Sequence, residues 1–356
     1  MTRLSVDPSL RVEDFDFELP ESLIAQVPIE PRDASRMLVL DRSNDQIRDQ
    51  MIANLPDFLR PGDLLVRNVS RVIPARFWAR KPDTGGKIEL LLLRALDGTD
   101  WEALAKPAKR LTPGLVAEIV RSADGQLTGG RFEVIERGEQ GLVSIRFIDD
   151  ALDHLAEYGV APLPPYIHER LENESRYQTL YAADPGSAAA PTAGLHFTPQ
   201  LMAECDRAGA RWANVTLHIG LDTFRPVSVD RVADHQIHTE WCSVSSETAE
   251  LVAETKRSGG RVIAIGTTSA RTLETLGSRI DLDAPSGFSA PTAIFITPGY
   301  RWTVVDAMLT NFHLPRSTLI MMISALAGRE RVLAAYRHAI EERYRFFSFG
   351  DAMLIL

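Results

Sequence analysis

Between Leu64 and Phe147 the chain breaks into short β-rich runs: Leu64–Val66, Lys87–Arg94, Trp101–Ala105, Val116–Val120, Arg131–Ile135 and Leu142–Phe147. Turn signals separate them at Asp83-Thr84-Gly85-Gly86, Asp97-Gly98, Thr112-Pro113-Gly114, Asp124-Gly125, Gly129-Gly130 and Gly138. No helical period of useful length interrupts them. Short strands at this spacing predict a small antiparallel barrel.

The flanks have a different texture. Met37–Leu40 reads as a strand, and Pro56–Leu59 as a short helix stopped by Pro61-Gly62. Ala151–Tyr158 is a helix candidate, and Pro162-Leu163-Pro164-Pro165 a rigid connector. Thr198-Pro199 opens a helix as cap and first helical residue. Arg211–Leu217 and Arg261–Ile265 read as buried strands. Glu247–Lys256 is a helix between them, ended by Gly259-Gly260. Ala293–Ile296 reads as a further strand and Glu330–Tyr344 as a long helix. The expected fold class is mixed α/β: a catalytic α/β domain from residues 1–70 and 151–356, with an antiparallel β-barrel domain inserted at 71–150.

A chain of 356 residues can build both. Its net charge of −9 rules out a globally basic nucleic-acid binder, so any RNA needs a local basic patch. The two cysteines, Cys205 and Cys242, fit no zinc or disulfide framework. The longest apolar stretch, Leu319–Ala327, is too short to span a membrane. The N-terminus lacks the apolar core of a signal peptide. A cytoplasmic protein without a membrane partner is expected.

Four polar constellations stand out. Pro191-Thr192-Ala193-Gly194-Leu195-His196-Phe197-Thr198 sets a flexible loop and an imidazole directly before a helix N-terminus, where backbone N–H groups can meet an anion. Val215–Pro226 carries His218 in a strand and then Thr223 and Arg225. Arg261–Arg271 runs an apolar strand into Gly266, then Thr267, Thr268 and Ser269, then a helix containing Arg271. That order suits a carboxylate, ribose or phosphate at the helix start. It is neither a Walker loop nor a dinucleotide fingerprint. Thr310–Thr318 combines Asn311, His313, Arg316 and hydroxyls. Each has a plainer reading as a turn, a helix cap or a buried, hydrogen-bonded histidine. His196, His218 and His313 lack the spacing of a helical zinc motif, and no metal is expected.

Arg67–Lys81 holds Arg67, Arg71, Arg76, Arg80 and Lys81 with Phe77 and Trp78 and no acidic residue. Lys106, Lys109 and Arg110 form a second basic cluster. Basic side chains with interleaved aromatics suit phosphates and unstacked bases, although a solvated surface has the same composition.

At these motifs the sequence resembles the S-adenosylmethionine:tRNA ribosyltransferase-isomerases of queuosine synthesis. The likeness includes Phe15-Asp-Phe-Glu-Leu-Pro20, Pro28-Ile-Glu-Pro-Arg-Asp-Ala-Ser-Arg36 and Arg71-Val-Ile-Pro-Ala-Arg76. It continues through Pro162–Ile167, Arg176–Tyr181 and all four constellations, and ends at Tyr344–Leu356. It implies an α/β domain plus a barrel. It implies transfer and isomerisation of the ribosyl moiety of S-adenosylmethionine to the 7-aminomethyl-7-deazaguanine wobble base of tRNA with a GUN anticodon. The products are then epoxyqueuosine, adenine and methionine. S-adenosylmethionine is a consumed co-substrate, so no resident cofactor is expected; nor is an oligomer. Two positions depart from the family pattern: Val69 replaces an expected aspartate, and Asp222 an expected glycine.

This chemistry needs a base for the C5′ hydrogens beside the sulfonium and a proton donor for departing adenine. His196, His313 and then His218 are the catalytic candidates, with an acid limb expected near the free imidazole value of about 6–7. Thr192, Gly194, Thr223, Arg225, Thr267, Thr268, Ser269, Arg271 and Asn311 are the substrate-binding candidates. Arg71, Arg76, Arg80, Lys109 and Arg110 are the tRNA-binding candidates. On the residues alone, two other readings stay open: a metal-dependent hydrolase using the histidines, and a tRNA-binding module that lost its chemistry.

Overall fold

The structure is a computed structural model and describes residues 6–44, 46–122, 124–139, 141–169, 171–220, 227–279 and 284–356. In chain order, β1 (Arg36–Asp41) and β2 (Gln46–Met51) form a hairpin, then β3 (Leu64–Asn68) runs into the short β4 (Ser70–Val72). Next come β5 (Arg76–Arg80), β6 (Lys87–Asp97), β7 (Asp100–Lys106), β8 (Val116–Val120), β9 (Leu127–Arg137) and β10 (Leu142–Ile148). α1 (Leu155–Tyr158) leads away from them, and β11 (Asp184–Ser187) pairs in parallel with β4. The remainder alternates: α2 (Pro199–Arg207), β12 (Arg211–His218), β13 (Glu240–Val244), α3 (Ser246–Arg257), β14 (Val262–Ile265), α4 (Thr267–Gly277) and β15 (Phe288–Thr292). It ends with β16 (Ala307–Asn311), α5 (Thr318–Ala327), α6 (Arg329–Glu341) and β17 (Ala352–Ile355).

The described strands β5 to β10 close a barrel in the order β10-β7-β6-β5-β8-β9, every neighbouring pair antiparallel. Alternation fills it. On β5, Phe77 and Ala79 are buried inside while Arg76, Trp78 and Arg80 point outward. Phe77 meets Phe132 edge-on at 6.0 Å. Closure removes the exposed edges that such short strands would otherwise present.

The remaining strands, apart from the β4–β11 pair, form a nine-stranded sheet among the described residues, ordered β15-β13-β12-β3-β14-β16-β17-β1-β2. Its centre, β12-β3-β14-β16, is parallel. Both faces are covered, which is why these strands read as unbroken apolar runs. Leu64 and Val66 face the core shared with α3, α4, α5 and α6. Leu65 faces the opposite core, with Leu201 and Cys205 of α2. Thr198 caps α2 by accepting from the Leu201 N–H at 3.1 Å, and Ser245 caps α3 in the same way.

Four local expectations need correction. The run Leu64–Val66, grouped with the barrel strands, pairs instead with β12 and β14 of the large sheet, and the barrel takes Arg76–Arg80 as its first strand. The strand expected at Ala293–Ile296 lies earlier, at β15, because pairing with β13 uses residues 288–292. Ile296 is instead a buried loop residue of the core. The helix expected from Ala151 begins only at Leu155. The helix expected at Pro56–Leu59 is a 3-10 helix over Ile52–Phe58. No helix among the described residues is long and apolar enough to cross a membrane.

Candidate active site

In an open parallel sheet, ligands bind beyond the carboxyl ends of the strands. Here β3 ends at Asn68, β12 at His218, β14 at Ile265 and β16 at Asn311. A cleft lies across these ends, lined by Ile219, Gly266, Thr267, Thr268, Asn311, Phe312 and His313 among others. Thr192 and Ala193 approach it from the 3-10 turn Thr192–His196. Three of the four polar constellations are therefore strand ends lying on one sheet edge, and the fourth turns beside them.

Two helix N-termini meet at this cleft. α4 starts at Thr267 behind Gly266, whose φ of 88° only glycine adopts without strain. α5 starts behind Ser317, which accepts from the Ile320 N–H at 3.3 Å and also lines the cleft. Free N–H groups and both helix dipoles make this corner favourable for a negative ligand group.

The cleft lies against His313. Its Nε2 meets the Thr310 hydroxyl at 3.0 Å, and its backbone N–H donates to the Tyr336 hydroxyl at 2.8 Å. Burial pushes its pKa down to about 3, so the ring is neutral at physiological pH. The Tyr166 and Ser348 hydroxyls, 2.7 Å apart, complete another wall.

His196 sits behind this wall. Asn311 Nδ2 approaches its Nε2 at 3.2 Å and also donates to the Phe347 carbonyl at 3.2 Å. The second bond orients the amide, so Nε2 of His196 is the acceptor and the ring proton is assigned to Nδ1. Burial first, then the Arg345 and Arg32 charges, push this histidine down to about 4.

Residues 12–355 match the model of a family described as queuosine biosynthesis protein. The chain belongs to that family. It is also similar to a solved structure, an S-adenosylmethionine tRNA ribosyltransferase from Thermotoga maritima, at 38% identity and a TM-score of 0.56. That match covers 96% of this chain and 100% of the other.

This queuosine biosynthesis enzyme brings together Thr192, Thr267, Thr268, Asn311 and His313. Several other candidates are placed elsewhere. His196 lines a separate small recess instead of the cleft. His218 lies beside Gly186, where an added Cβ would come within 3.0 Å of the ring, and does not line the cleft. Burial also lowers its pKa. Gly194 is required for packing: a Cβ there would overlap the Tyr181 hydroxyl. Ser269 is fully buried and donates at 2.8 Å to the carbonyl of Ile265, the last residue of β14, instead of facing the cleft. Arg271 is buried in an ion pair with Glu240, which removes it from the cleft wall. Thr223 and Arg225, with Asp222, lie outside the described residues. Among the described residues no group of three His, Cys, Asp or Glu side chains is arranged to hold a metal.

The basic candidates divide. Arg76 and Arg80 share the outer face of β5 with Trp78, and Arg76 lies 3.5 Å from Glu89. Lys109 and Arg110 sit at one barrel end: Lys81 donates to the Arg110 carbonyl, and Arg137 to that of Lys109. Arg71 is exposed on β4, outside the barrel. Arg67 is withdrawn from the run, half-buried between the Tyr181 and Trp212 rings at 4.4 and 5.0 Å.

Sequence reasoning assigned no role to Tyr166, Ser317 or Ser348 at the cleft. Tyr166 and Ser348 lie in the segments Pro162–Ile167 and Tyr344–Leu356, whose family likeness was the one signal pointing to them.

Proposed function

We propose that this enzyme transfers and isomerises the ribosyl moiety of S-adenosylmethionine onto the 7-aminomethyl-7-deazaguanine wobble base of tRNA with a GUN anticodon. Epoxyqueuosine forms, and adenine and methionine leave. The carrying observation is the cleft at the parallel strand ends, where the α4 and α5 N-termini face a buried, neutral His313. The methionyl carboxylate suits the N–H groups that open α4, and Thr267 and Thr268 can bond it or the ribose hydroxyls. The sulfonium acidifies the C5′ hydrogens, and a neutral imidazole can accept one. The amine of the modified base, once neutral, attacks the ribosyl carbon as adenine departs with a proton.

In this reading S-adenosylmethionine is consumed and no resident cofactor takes part. The enzyme works as a cytoplasmic monomer. Outward Arg76 and Arg80 and the barrel end at Lys109 and Arg110 hold tRNA phosphates. The test is incubation with S-adenosylmethionine and tRNA bearing the aminomethyl base, followed by mass spectrometry of nucleosides and small products. Equal adenine and methionine are expected. S-adenosylhomocysteine as the main product means methyl transfer and overturns the reading.

A further inference from the structure

On the far side of Ser348 from the cleft lies a small recess, partly open to solvent. Arg32, Arg176, Ser35 and His196 line it. Its volume of about 20 Å³ admits one water or one ligand oxygen, since a water needs roughly 10–15 Å³ of such space.

The charges around it are unbalanced. Arg32 is 9% exposed, and its guanidinium donates only to backbone carbonyls: Gln178 at 2.9 Å, Leu195 at 3.3 Å and Ser175 at 3.3 Å. Among the described residues no carboxylate lies within ion-pair distance of it. Burial first, then the neighbouring Arg176 charge, act against its protonated form, offset only in part by the more distant Glu30 charge. A buried cation of this kind is costly unless an anion meets it. Arg176 has a carboxylate partner, Glu30, at 2.7 Å, but Glu30 is 68% exposed and able to turn into solvent. Nε of Arg176 is buried with no partner among the described residues.

We infer that this recess takes one oxygen of a phosphodiester, held between Arg32 and Arg176. Arg32, without a carboxylate partner among the described residues, and Arg176, whose Nε has none, match a phosphate oxygen in charge. The position also fits. A nucleotide whose base enters the cleft carries its phosphate one sugar away, and Ser348 lines both cleft and recess. Glu30 holds Arg176 until the phosphate displaces it. This rests on the proposed use of tRNA as substrate.

The test uses the full chain, a tRNA transcript with a GUN anticodon, and inorganic phosphate. Arg176→Gln should lower the log–log salt slope of tRNA binding by roughly 0.7–0.9, the value of one neutralised phosphate. Its thermal midpoint should fall modestly, because the bond from Arg176 to the Ile29 carbonyl at 2.7 Å is lost, so the salt slope is the deciding readout. Glu30→Gln should act in the opposite sense and tighten tRNA binding, since it removes the competing anion. A purely structural ion pair would instead lose stability in both variants with no change of slope. Unchanged slopes, or both variants shifting tRNA binding the same way, overturn the inference. Inorganic phosphate should compete with tRNA in the wild type and less in Arg176→Gln. If it binds there while the tRNA slope ignores Arg176, the recess is a free-anion site and the RNA assignment fails. A wild type that shows these slopes yet leaves S-adenosylmethionine intact sinks the proposed reaction and keeps the recess. An active wild type with indifferent variants does the reverse.

Discussion

Asn68, at the end of β3, donates from its side-chain amide to the hydroxyl oxygen of Thr268, in the first turn of α4, at 3.2 Å. The amide has no freedom to turn. Its Nδ2 also donates to the Leu217 carbonyl at 3.0 Å, and its Oδ1 accepts from the Ser70 and Leu217 N–H groups. Because the Thr268 oxygen accepts from Asn68, its proton is left for the cleft. Thr268→Val keeps the volume and deletes that donor. A hydrogen bond to a charged group contributes about 1.5–3 kcal/mol, so the Michaelis constant for S-adenosylmethionine should rise about 10- to 100-fold. That for tRNA should hold. Steady-state kinetics with each substrate varied checks this. Both constants rising together would mean that the hydroxyl serves the fold.

Gly194 gives a sharper test of packing against binding. The space where its side chain would stand is filled by the Tyr181 hydroxyl, with Thr179 beside it. Gly194→Ala should therefore destabilise the fold by about 1–3 kcal/mol through overpacking. Pairing it with Tyr181→Phe, which removes the obstructing oxygen, should recover part of the loss. Thermal denaturation of the single and double variants measures it. A stable Gly194→Ala chain with weakened substrate binding would return Gly194 to the site.

The barrel was legible because closure is written locally, in short strands and glycine turns. The order of the large sheet was not, since β3 enters before the barrel and β16 and β17 follow long after it. The polar residues ending apolar strands, at Ile265-Gly266 and Thr310-Asn311, fall at the cleft because strand ends must leave the core there. Direction was harder to read. His218 is the last residue of β12 and Ile219 the first beyond it, and of the two only Ile219 lines the cleft. Nor could spacing reveal that Arg271 would meet Glu240, an ion pair between elements 31 positions apart.

The two most buried histidine candidates should show in the pH dependence of stability. An unfolded histidine takes up its proton near pH 6.5. In the folded chain burial delays this to about 4 for His196 and about 3 for His313. Between those values the unfolded state binds more protons, so stability rises with pH. The contribution is whole above about pH 6.5 and is lost as pH falls toward 4. Each histidine adds a slope of up to about 1.4 kcal/mol per pH unit. Denaturant unfolding between about pH 5 and 7 should show this slope, and His196→Gln should reduce it. An unchanged slope would mean that His196 takes up its proton at the same pH in the folded and unfolded chain.

Basic residues on the barrel should act additively with salt. Changing Arg80, Lys109 and Arg110 together to Ala removes charge from β5 and the neighbouring barrel end without touching the buried interior. Weaker tRNA binding is expected, with the log–log salt slope reduced by roughly 0.7–0.9 for each phosphate left without its cation. Filter binding across a salt series reads it. A wild-type slope would show that this end of the barrel faces away from RNA.

If a histidine takes the proton in the proposed reaction, the geometry separates the two candidates. His313 lines the cleft and is fixed by Thr310 through Nε2, whereas His196 holds Asn311 from behind. His313→Gln should cut turnover by about 10²–10⁴-fold with little change in S-adenosylmethionine binding, the signature of a proton-transfer group. His196→Gln should act mainly on substrate binding, because it alters one of the contacts that hold Asn311 at the cleft while the Phe347 bond remains. The pH profile adds a second discriminator. A free imidazole would lose activity below about pH 6.5. Burial has already lowered His313 to about 3, and a bound sulfonium disfavours its protonation further. Turnover measured within the stable pH range should therefore show no His313-dependent acid limb near pH 6–7, contrary to the expectation from a free side chain. A limb centred there in the wild type, and absent from the residual activity of His313→Gln, would show that the ring titrates as if exposed. Near wild-type turnover in His313→Gln would instead remove it as the base and turn attention to the Tyr166 and Ser348 hydroxyls on the facing wall.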